Sequence, residues 1–567
     1  MAIKGSMNKM VTSANHIGSI GRTAFPRHYD FRNTFSAGHL FPIYADEVYP
    51  GSQKKIDVGA LVRSITPLGP VMDKSFLDIF FFYVPSRLLW DHFEEFIAGY
   101  NKEAWTQGVE YKKPRIIFHM KKEDAKPSGE SLNDYLHSFL DFLPRACDVV
   151  ALRGLQYEPA NTSDEQEAIW EERLNNFMWI DALYPRAYCK IWNDWFRDEN
   201  LQDELELYTG DNDEYAEEFA FDLLDSDDLP KAAKYHNRFT SALPAPIKGP
   251  DVLIPMTGLQ VGFWPTGTGT ASAGSQAAIT SGTSIDSDEF TQLKMNGSVT
   301  GVSGNKVVAN NVSNTIRMLR VAVQTEKLLS KDARGGTRFV ESILSHFSVH
   351  NGDARLQRSE YLGSTQIQLQ VQQITNTTQS DDASLGNVGG QSVTRFNNHV
   401  VNATFSEWGI VLGLAVVRTN ISYSGGVAEM YQRRTRFEHL WPEFKHIGDV
   451  PLLTRRLEVA ATLFDDPDHV FGYTPYFSEK REGMNFNTGL FRYKANGNLA
   501  YLTYQERYDL VDGLPSLSGD WIEQPTDIVS ETLVSQTGPQ YYALWEIEET
   551  AIEPLDPTSD PGLMDHF

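Results

Sequence analysis

The segment TPLGPVMDKSFLDIFFFYVPSRLLWDHFEEFIAG, residues 66–99, decides the fold. Between Phe76 and Val84 nearly every residue is apolar or aromatic, so a strand with alternating side chains is apolar on both faces. Such a strand lies inside a layered structure, where other elements cover both sides of its sheet. Pro85 is expected to end it, because proline lacks the N–H group that a strand ladder requires.

The same segment predicts an amphipathic helix directly after the strand. Ser86 is placed to cap this helix and Gly99 to end it. Its apolar stripe consists of Leu89, Phe93, Phe96 and Ile97. A buried strand joined to such a helix provides a core, but it carries no information about function.

The composition of the 567-residue chain favours an all-β architecture with long loops. Apolar residues make up 41% and aromatic residues 12%, and Gly, Ser, Thr, Asn and Pro separate the apolar runs. The predicted strands cover 39–44, 54–63, 365–374 and 408–417, and the predicted helices cover 131–143, 191–201 and 315–329. Residues 255–314 and 375–396 are rich in small polar residues, which predicts an insertion and a loop.

The distribution of charge is uneven. A net charge of −25 excludes a protein that coats nucleic acid with its whole surface. Residues 1–29 nevertheless contain Lys4, Lys9, Arg22 and Arg27 and no acid, whereas 13 acids and no Lys or Arg follow Arg507. We therefore predict a basic N-terminal arm over residues 1–33, and an acidic tail in a different environment.

Cysteine content and hydropathy limit the compartment. Cys147 and Cys189 are too few for a disulfide framework, which indicates a reducing compartment and two buried structural thiols. No signal-peptide pattern begins the sequence, and the longest apolar run is shorter than the roughly 20 residues of a membrane helix. We expect a soluble protein that is synthesised in cytoplasm and is not inserted into a membrane.

No motif for catalysis stands out. The chain has no Gly-Lys pair, HExxH, CxxC or GxSxG sequence, and we predict no catalytic, cofactor-binding or metal-binding residues. His92 and Glu95 share a helix face, but two groups are a weak metal site. The Gly-rich 332–336 segment predicts a tight turn, and the 12 acids in 203–228 predict a solvated face.

One basic cluster leaves two interpretations open. Arg433, Arg434 and Arg436 lie beside Tyr431 and Phe437. Arginines interleaved with aromatic residues suit single-stranded nucleic acid. The same residue types are also enriched at interfaces between subunits.

Seven blocks of sequence together carry a family resemblance. They are PIYADEVYPG (42–51), the 66–99 segment, LYPRAYCKIWNDWFRDENLQ (183–202), KYHNRFTSALPAPIKG (234–249), LLSKDARGGTRFVESILSHFSV (328–349), DARLQRSEYLGS (353–364) and RRTRFEHLWPEFKHIGDVPLL (433–453). In this order they resemble the major capsid protein of microviruses, small tailless single-stranded-DNA phages, and particularly the gokushovirus branch. The family continues VFGY as VFGYQER, whereas here VFGYTPY occurs and YQER lies at 504–507. The resemblance does not extend beyond about residue 500.

The resemblance implies a fold and a function. The fold is an eight-stranded antiparallel viral jelly roll with long loop insertions that contain several helices. Copies of the chain assemble a T=1 icosahedral shell around circular single-stranded DNA. The implied location is the virion, after synthesis in the cytoplasm of a bacterial host. Other virion proteins and a host surface receptor are further expected partners.

The resemblance also assigns regions of the chain. Residues 34–567 are expected to form one capsid domain, with 255–314 as a surface insertion that forms a protrusion at the three-fold axes and contributes to host attachment. The arm at 1–33 faces the interior, where its basic residues neutralise phosphates. These residues are Lys4, Lys9, Arg22 and Arg27.

The alternative is a carbohydrate-binding or glycan-processing protein on a jelly-roll scaffold, because a fold does not determine a function. No secretion signal or defined carboxylate pair supports it.

Overall fold

A computed structural model describes most of the chain as two compact units. The first comprises residues 1–244 and 352–567, and the second comprises residues 245–351. The residues described are 21–98, 111–118, 139–143, 178–215, 219–221, 223, 229–250, 260–265, 305–310, 316–335, 341, 345–348, 357–375, 388–459, 468–493, 495, 497–508, 514–536 and 538–557.

Strands dominate the described residues. They are β1 (Thr23–Phe35), β2 (Phe41–Val48), β3 (Gln53–Ser64), β4 (Ser75–Pro85), β5 (Arg115–Phe118), β6 (Met178–Asp181), β7 (Glu214–Tyr215), β8 (Gln260–Pro265), β9 (Asn305–Asn310), β10 (Glu360–Leu369), β11 (Val371–Thr375), β12 (Val388–Thr404), β13 (Gly409–Thr419), β14 (Asp449–Leu453), β15 (Val470–Pro475) and β16 (Tyr541–Glu553). The helices are α1 (Phe93–Ala98), α2 (Phe139–Phe142), α3 (Leu183–Ile191), α4 (Ile316–Gly335), α5 (Gly519–Ile522) and α6 (Asp527–Ser530).

Two antiparallel sheets organise the larger unit. One has the order β1-β16-β3-β12-β11 and the other the order β10-β4-β13-β2. Leaving aside β11, the pairs are nested: β1 pairs with β16, β2 with β13, β3 with β12 and β4 with β10. The prediction of a β-rich protein built from antiparallel sheets is therefore confirmed.

The inward faces of these sheets form one core with the helices around them. Phe35 of β1 stacks on Phe41 of β2 with ring centroids 4.5 Å apart, and Trp545 of β16 packs against both rings. These three side chains are fully buried. Aromatic burial across the sheets thus connects the two ends of the chain to the second strand.

The 66–99 segment lies at the centre of this core. Its strand β4 lies between β10 and β13, and Leu77, Ile79 and Phe81 on one face are fully buried. On the other face, Phe80 and Phe82 pack edge-on against Phe196, with ring centroids 5.4 and 5.8 Å away. The prediction that both faces of this strand are covered is confirmed.

The prediction of one helix beginning directly after β4 is wrong, because the helix starts later than expected. A short 3-10 turn, Ser86–Leu88, comes first, and α1 begins only at Phe93. Between them, the Asp91 N–H donates to the Thr209 carbonyl instead of to a carbonyl one helical turn earlier. Leu89 and Phe93 of the predicted stripe are buried, whereas Phe96 and Ile97 are more than one-third exposed.

Strands from the described parts of the N-terminal and C-terminal regions, β1 and β16, share one sheet. Residues 23–33, which we expected within the arm, form most of β1; residues 1–20 lie outside the described part. The acidic C-terminal region supplies β16, which pairs with β1 from Thr23↔Glu553 to Phe35↔Tyr541 and with β3 on its other side. Pairing of a base-rich strand with an acid-rich strand reduces the repulsion within each.

Other predicted elements shift at their boundaries. The strands at 39–44, 54–63 and 408–417 correspond to β2, β3 and β13, but 365–374 is divided between β10 and β11, which belong to different sheets. At the break, the Gln370 N–H donates to Thr394 Oγ1 at 3.0 Å instead of to a ladder partner. The predicted loop at 375–396 ends where β12 begins at Val388.

The predicted helices shift in the same way. The helix at 191–201 begins earlier, as α3, and continues as a π-helix over Trp192–Phe196. Of the helix at 131–143, the described part is α2. In the smaller unit, β8 and β9 pair as an antiparallel hairpin, and α4 extends the helix predicted at 315–329. Asp332 and Arg334 therefore lie in its last turn and not in a tight turn.

Candidate assembly and nucleic-acid surfaces

The four predicted nucleic-acid contacts fall in different settings. Lys4 and Lys9 lie outside the described residues. Arg22 is exposed just before β1, with its guanidinium beside Gly51. Arg27 lies inside β1, where its guanidinium donates to the carboxylates of Asp46 and Glu549. The structure therefore separates Arg27, which is paired with two carboxylates, from the exposed Arg22.

Arg27 belongs to an ion network that joins four strands. Its partners are Asp46 of β2, Lys54 of β3 and Glu549 of β16. Lys54 Nζ lies 2.9 Å from Glu549 Oε1, and it also donates to Asp46 and to the Tyr44 hydroxyl. The side chain of Lys54 is 0% exposed and that of Glu549 is 1% exposed. Two cations and two anions thus compensate one another, with Lys54 and Glu549 in the interior and Arg27 and Asp46 partly exposed.

The contacts in this network shift the pKa values of Asp46 and Arg27. Burial acts to raise the pKa of Asp46, but the charges and hydrogen bonds of Lys54 and Arg27 outweigh burial and hold that pKa below its ordinary value. Burial would lower the pKa of Arg27, and the two carboxylates raise it instead. Both shifts favour the charged form, so Asp46 is ionised and Arg27 protonated at neutral pH.

Sequence reasoning missed three members of this network. The signal was alternation: Lys54 shares a strand face with Ile56 and Val58, and Glu549 shares one with Trp545 and Ile547. A charged residue on an otherwise apolar face predicts a buried ion pair, because an unpaired buried charge is costly. The strand pattern does not identify the partner.

The basic cluster at 433–436 lies on a surface segment, residues 429–447. Arg433 pairs with Glu479 and covers the Phe477 ring, and the Arg436 guanidinium lies 4.9 Å from the Trp441 ring centre. Arg238 anchors the start of the segment by donating to both oxygens of Glu429. The segment is therefore fixed on the body of the larger unit.

The same segment exposes large apolar side chains. More than half of each is exposed: Met430, Tyr431, Phe437, Leu440 and Ile447. A patch of this kind marks a surface for contact with another macromolecule. Arg433 is neutralised by Glu479, and the exposed apolar and aromatic side chains are of the types enriched at protein interfaces.

Some of the acidic residues in the 203–228 segment are partners in ion pairs and hydrogen bonds. Asp211 accepts hydrogen bonds from Trp90 Nε1 and His92 Nδ1 at 2.6 and 2.9 Å. Glu214 pairs with the fully buried Arg186 at 2.6 Å. These contacts fasten the segment to α3 and to the turn after β4. The solvated-face prediction is wrong for Glu214, whereas Asp211 forms its contacts while remaining exposed.

The remaining chemical candidates have structural roles. His92 contacts Asp211 and stacks on Tyr111. Within the described ranges, no group of three or more His, Cys, Asp or Glu side chains could hold a metal ion. Cys189 is a buried free thiol, and burial raises its pKa far above its ordinary value, as expected for an unreactive group. Cys147 lies outside the described part.

No helix in the described ranges is both long enough and apolar enough to span a membrane.

The comparisons with known proteins agree with one another. Residues 13–119 and 168–563 match the family described as "Capsid protein (F protein)". The chain is 30% identical to capsid protein VP1 of Bdellovibrio phage phiMH2K, covering 92% of this chain and 91% of that protein. It is 29% identical to capsid protein VP1 of Chlamydia phage 1, covering 96% of each chain, and 29% identical to that of Spiroplasma virus 4, covering 93% of each.

Proposed function

We propose that this chain, which belongs to the capsid protein (F protein) family and is a structural major capsid protein, builds a T=1 icosahedral shell around circular single-stranded DNA. The observation that carries the proposal is the family match, which spans most of the chain. The motif blocks that resemble microvirus capsid proteins support the shell symmetry and the genome type. We propose no catalytic activity for the chain.

Strand order supports an eight-stranded jelly roll within the larger unit. Strands β1, β2, β3, β4, β10, β12, β13 and β16, taken as first to eighth, pair first with eighth, second with seventh, third with sixth and fourth with fifth. The pairing of β16 with β3 and of β13 with β4 then joins these four strand pairs into two sheets. A long hairpin rolled in this way is the double-sheet arrangement of jelly rolls.

Exposed apolar surface supports assembly. An icosahedral shell requires each copy to present several different patches to its neighbours. We assign the 429–447 segment to one such contact, because it is anchored by Arg238 and Arg433 and still exposes five large apolar side chains. Burial of such side chains is the main source of stability at a permanent interface.

Two further regions receive roles. Residues 255–314 are proposed as the surface protrusion that contributes to host attachment, and their inclusion in the separate unit 245–351 supports this. For the arm, we assign phosphate contact to Lys4, Lys9 and Arg22. Arg27 is omitted because two carboxylates already neutralise its charge.

Electron microscopy of the purified full-length chain, alone and after expression with a circular single-stranded DNA, tests the proposal. The expected result is closed, isometric particles of one size that protect the DNA from nuclease. Protein that stays monomeric under all assembly conditions and is missing from purified particles would refute the shell. Closed particles without protected DNA would refute only the genome assignment.

A further inference from the structure

The outward face of the five-stranded sheet carries its charges in separate rows. Across one row, Thr34 of β1 faces Tyr542 of β16, which faces Arg63 of β3. In the next row, Arg32 faces Leu544, Leu544 faces Leu61, and Leu61 faces Arg395 of β12. These two rows contain three arginines and no acid.

Acids occupy the following rows of the same face. Asp30 is opposite Glu546, and two residues further along His28 is opposite Glu548. On β3 and β12, Asp57 pairs with His399. The acids and histidines of this face thus lie beyond the arginine rows, and one end of the sheet is locally basic in a chain of net charge −25.

An open groove follows the two arginine rows. It has a volume of about 450 Å³, and its lining includes Arg32, Arg63, Leu61, Leu544 and Tyr542. Tyr542 is 45% exposed. Its apolar floor and exposed ring distinguish this groove from a simple patch of surface charge.

The arginines of the groove are available to a ligand. Arg32 and Arg63 are exposed and form no ion pair with other described residues. The side chain of Arg395 is 73% exposed, with its nearest carboxylate oxygen, on Glu546, at 3.5 Å. The chain contains more than enough carboxylates to neutralise these guanidinium groups. Because Arg32 and Arg63 nevertheless form no ion pair with the described residues, they point to an anionic ligand.

We propose that this groove binds single-stranded DNA, with a base stacked on Tyr542 and phosphates contacted by Arg32 and Arg63. The inference rests on the proposed packaging function and gives it a specific site. Arg32 and Arg63 lie two strands apart, about 10 Å across the sheet, on either side of the strand that carries Tyr542. An aromatic platform flanked by cations is how proteins hold single strands without reading sequence.

The experiment measures binding of a fluorescent oligothymidylate of about 16 nucleotides to the purified full-length chain over a range of salt concentrations. The variants are Arg32→Ala with Arg63→Ala, Tyr542→Leu, and Tyr542→Phe. The control, Lys480→Ala with Arg481→Ala, removes the same charge from exposed residues away from the groove. Denaturant midpoints verify that every variant is folded.

Each variant has a distinct expected result. Loss of two phosphate contacts should reduce the slope of log affinity against log salt by about 1.4, because each contact to a single strand contributes about 0.7. Tyr542→Leu should weaken binding about 5- to 150-fold without changing the slope, whereas Tyr542→Phe should bind like the unmodified chain. The lysine-arginine control should leave the slope unchanged.

Other outcomes overturn the site and separate it from the packaging function. If the unmodified chain binds DNA and the arginine variant behaves like its control, the groove assignment is wrong while packaging stands. If the arginine variant alters particle assembly but not DNA binding, the groove is a contact between copies instead. No binding by the unmodified chain, together with particles that protect no DNA, overturns both.

Discussion

Replacing Glu549 by alanine provides the sharpest test of how the sheets are held together. The substitution leaves the ammonium group of Lys54, which is 0% exposed, with one carboxylate partner instead of two. Removing one member of a buried ion pair typically costs about 3–5 kcal/mol, because the remaining charge has no access to water. We expect a loss of that size in the free energy of unfolding of the unassembled chain.

The neighbouring residue supplies a matched control. Glu548 carries the same charge one position earlier on β16, but its side chain is exposed on the opposite face. Glu548→Ala should therefore change the free energy of unfolding little. A double variant, Lys54→Met with Glu549→Leu, should recover much of the loss, since replacing both partners by apolar groups leaves no buried charge between them.

The assay is guanidinium unfolding followed by tryptophan fluorescence, at a fixed protein concentration that keeps the chain unassembled. Assembly would stabilise the folded state by mass action and hide the difference. Equal midpoints for Glu549→Ala and Glu548→Ala would refute the reasoning. So would a double variant less stable than the Glu549→Ala single variant.

Four further outcomes follow from other parts of the molecule. The pKa of Asp46 is lowered in the folded chain, so its contribution to stability is present above its ordinary pKa of 3.8 and is lost as pH falls through the lower folded-state pKa. In Asp46→Asn, the urea unfolding midpoint should therefore fall less than in the unmodified chain between about pH 5 and about pH 3. Phe81→Ala, at the fully buried centre of β4, should cost about 3–5 kcal/mol in urea unfolding. Deleting residues 2–20 keeps β1 whole, so circular dichroism should be unchanged while purified particles retain less DNA. Tyr431→Ser with Phe437→Ser should reduce particle yield without changing the unfolding midpoint, and normal yield would contradict an interface there.

Whether a strand of this fold could be predicted from the sequence depends on whether one or both of its faces are buried. Strands β4 and β13 could be located because they are buried on both faces, which requires consecutive apolar residues. Strands β1 and β16 were missed because each has an outward polar face and also places charged residues inward. Arg27 and Glu549 disturb the apolar alternation on which strand prediction depends.

Long-range pairing sets the other limit. The alternation of 365–374 continues through Gln370, yet β10 and β11 lie in different sheets, and no local pattern marks that change. Likewise, Arg27 and Glu549 are 522 positions apart. The basic charge of residue 27 was visible in the sequence, but its neutralisation depends on a strand near the other end of the chain.

The ion network and the sheet groove together account for the charges in the described parts of the N-terminal and C-terminal regions. The basic N-terminal and acidic C-terminal regions meet as β1 and β16, so Arg27 is neutralised by Glu549 inside the fold. A chain with 75 acids and 50 bases could neutralise its other arginines as well. That Arg32 and Arg63, close to an exposed tyrosine, form no ion pair with the part of the chain that the structure describes is therefore informative. Arg27, paired with two carboxylates, helps to hold the sheets together, whereas the exposed Arg32 and Arg63 leave positive charge for the DNA that we propose the shell encloses.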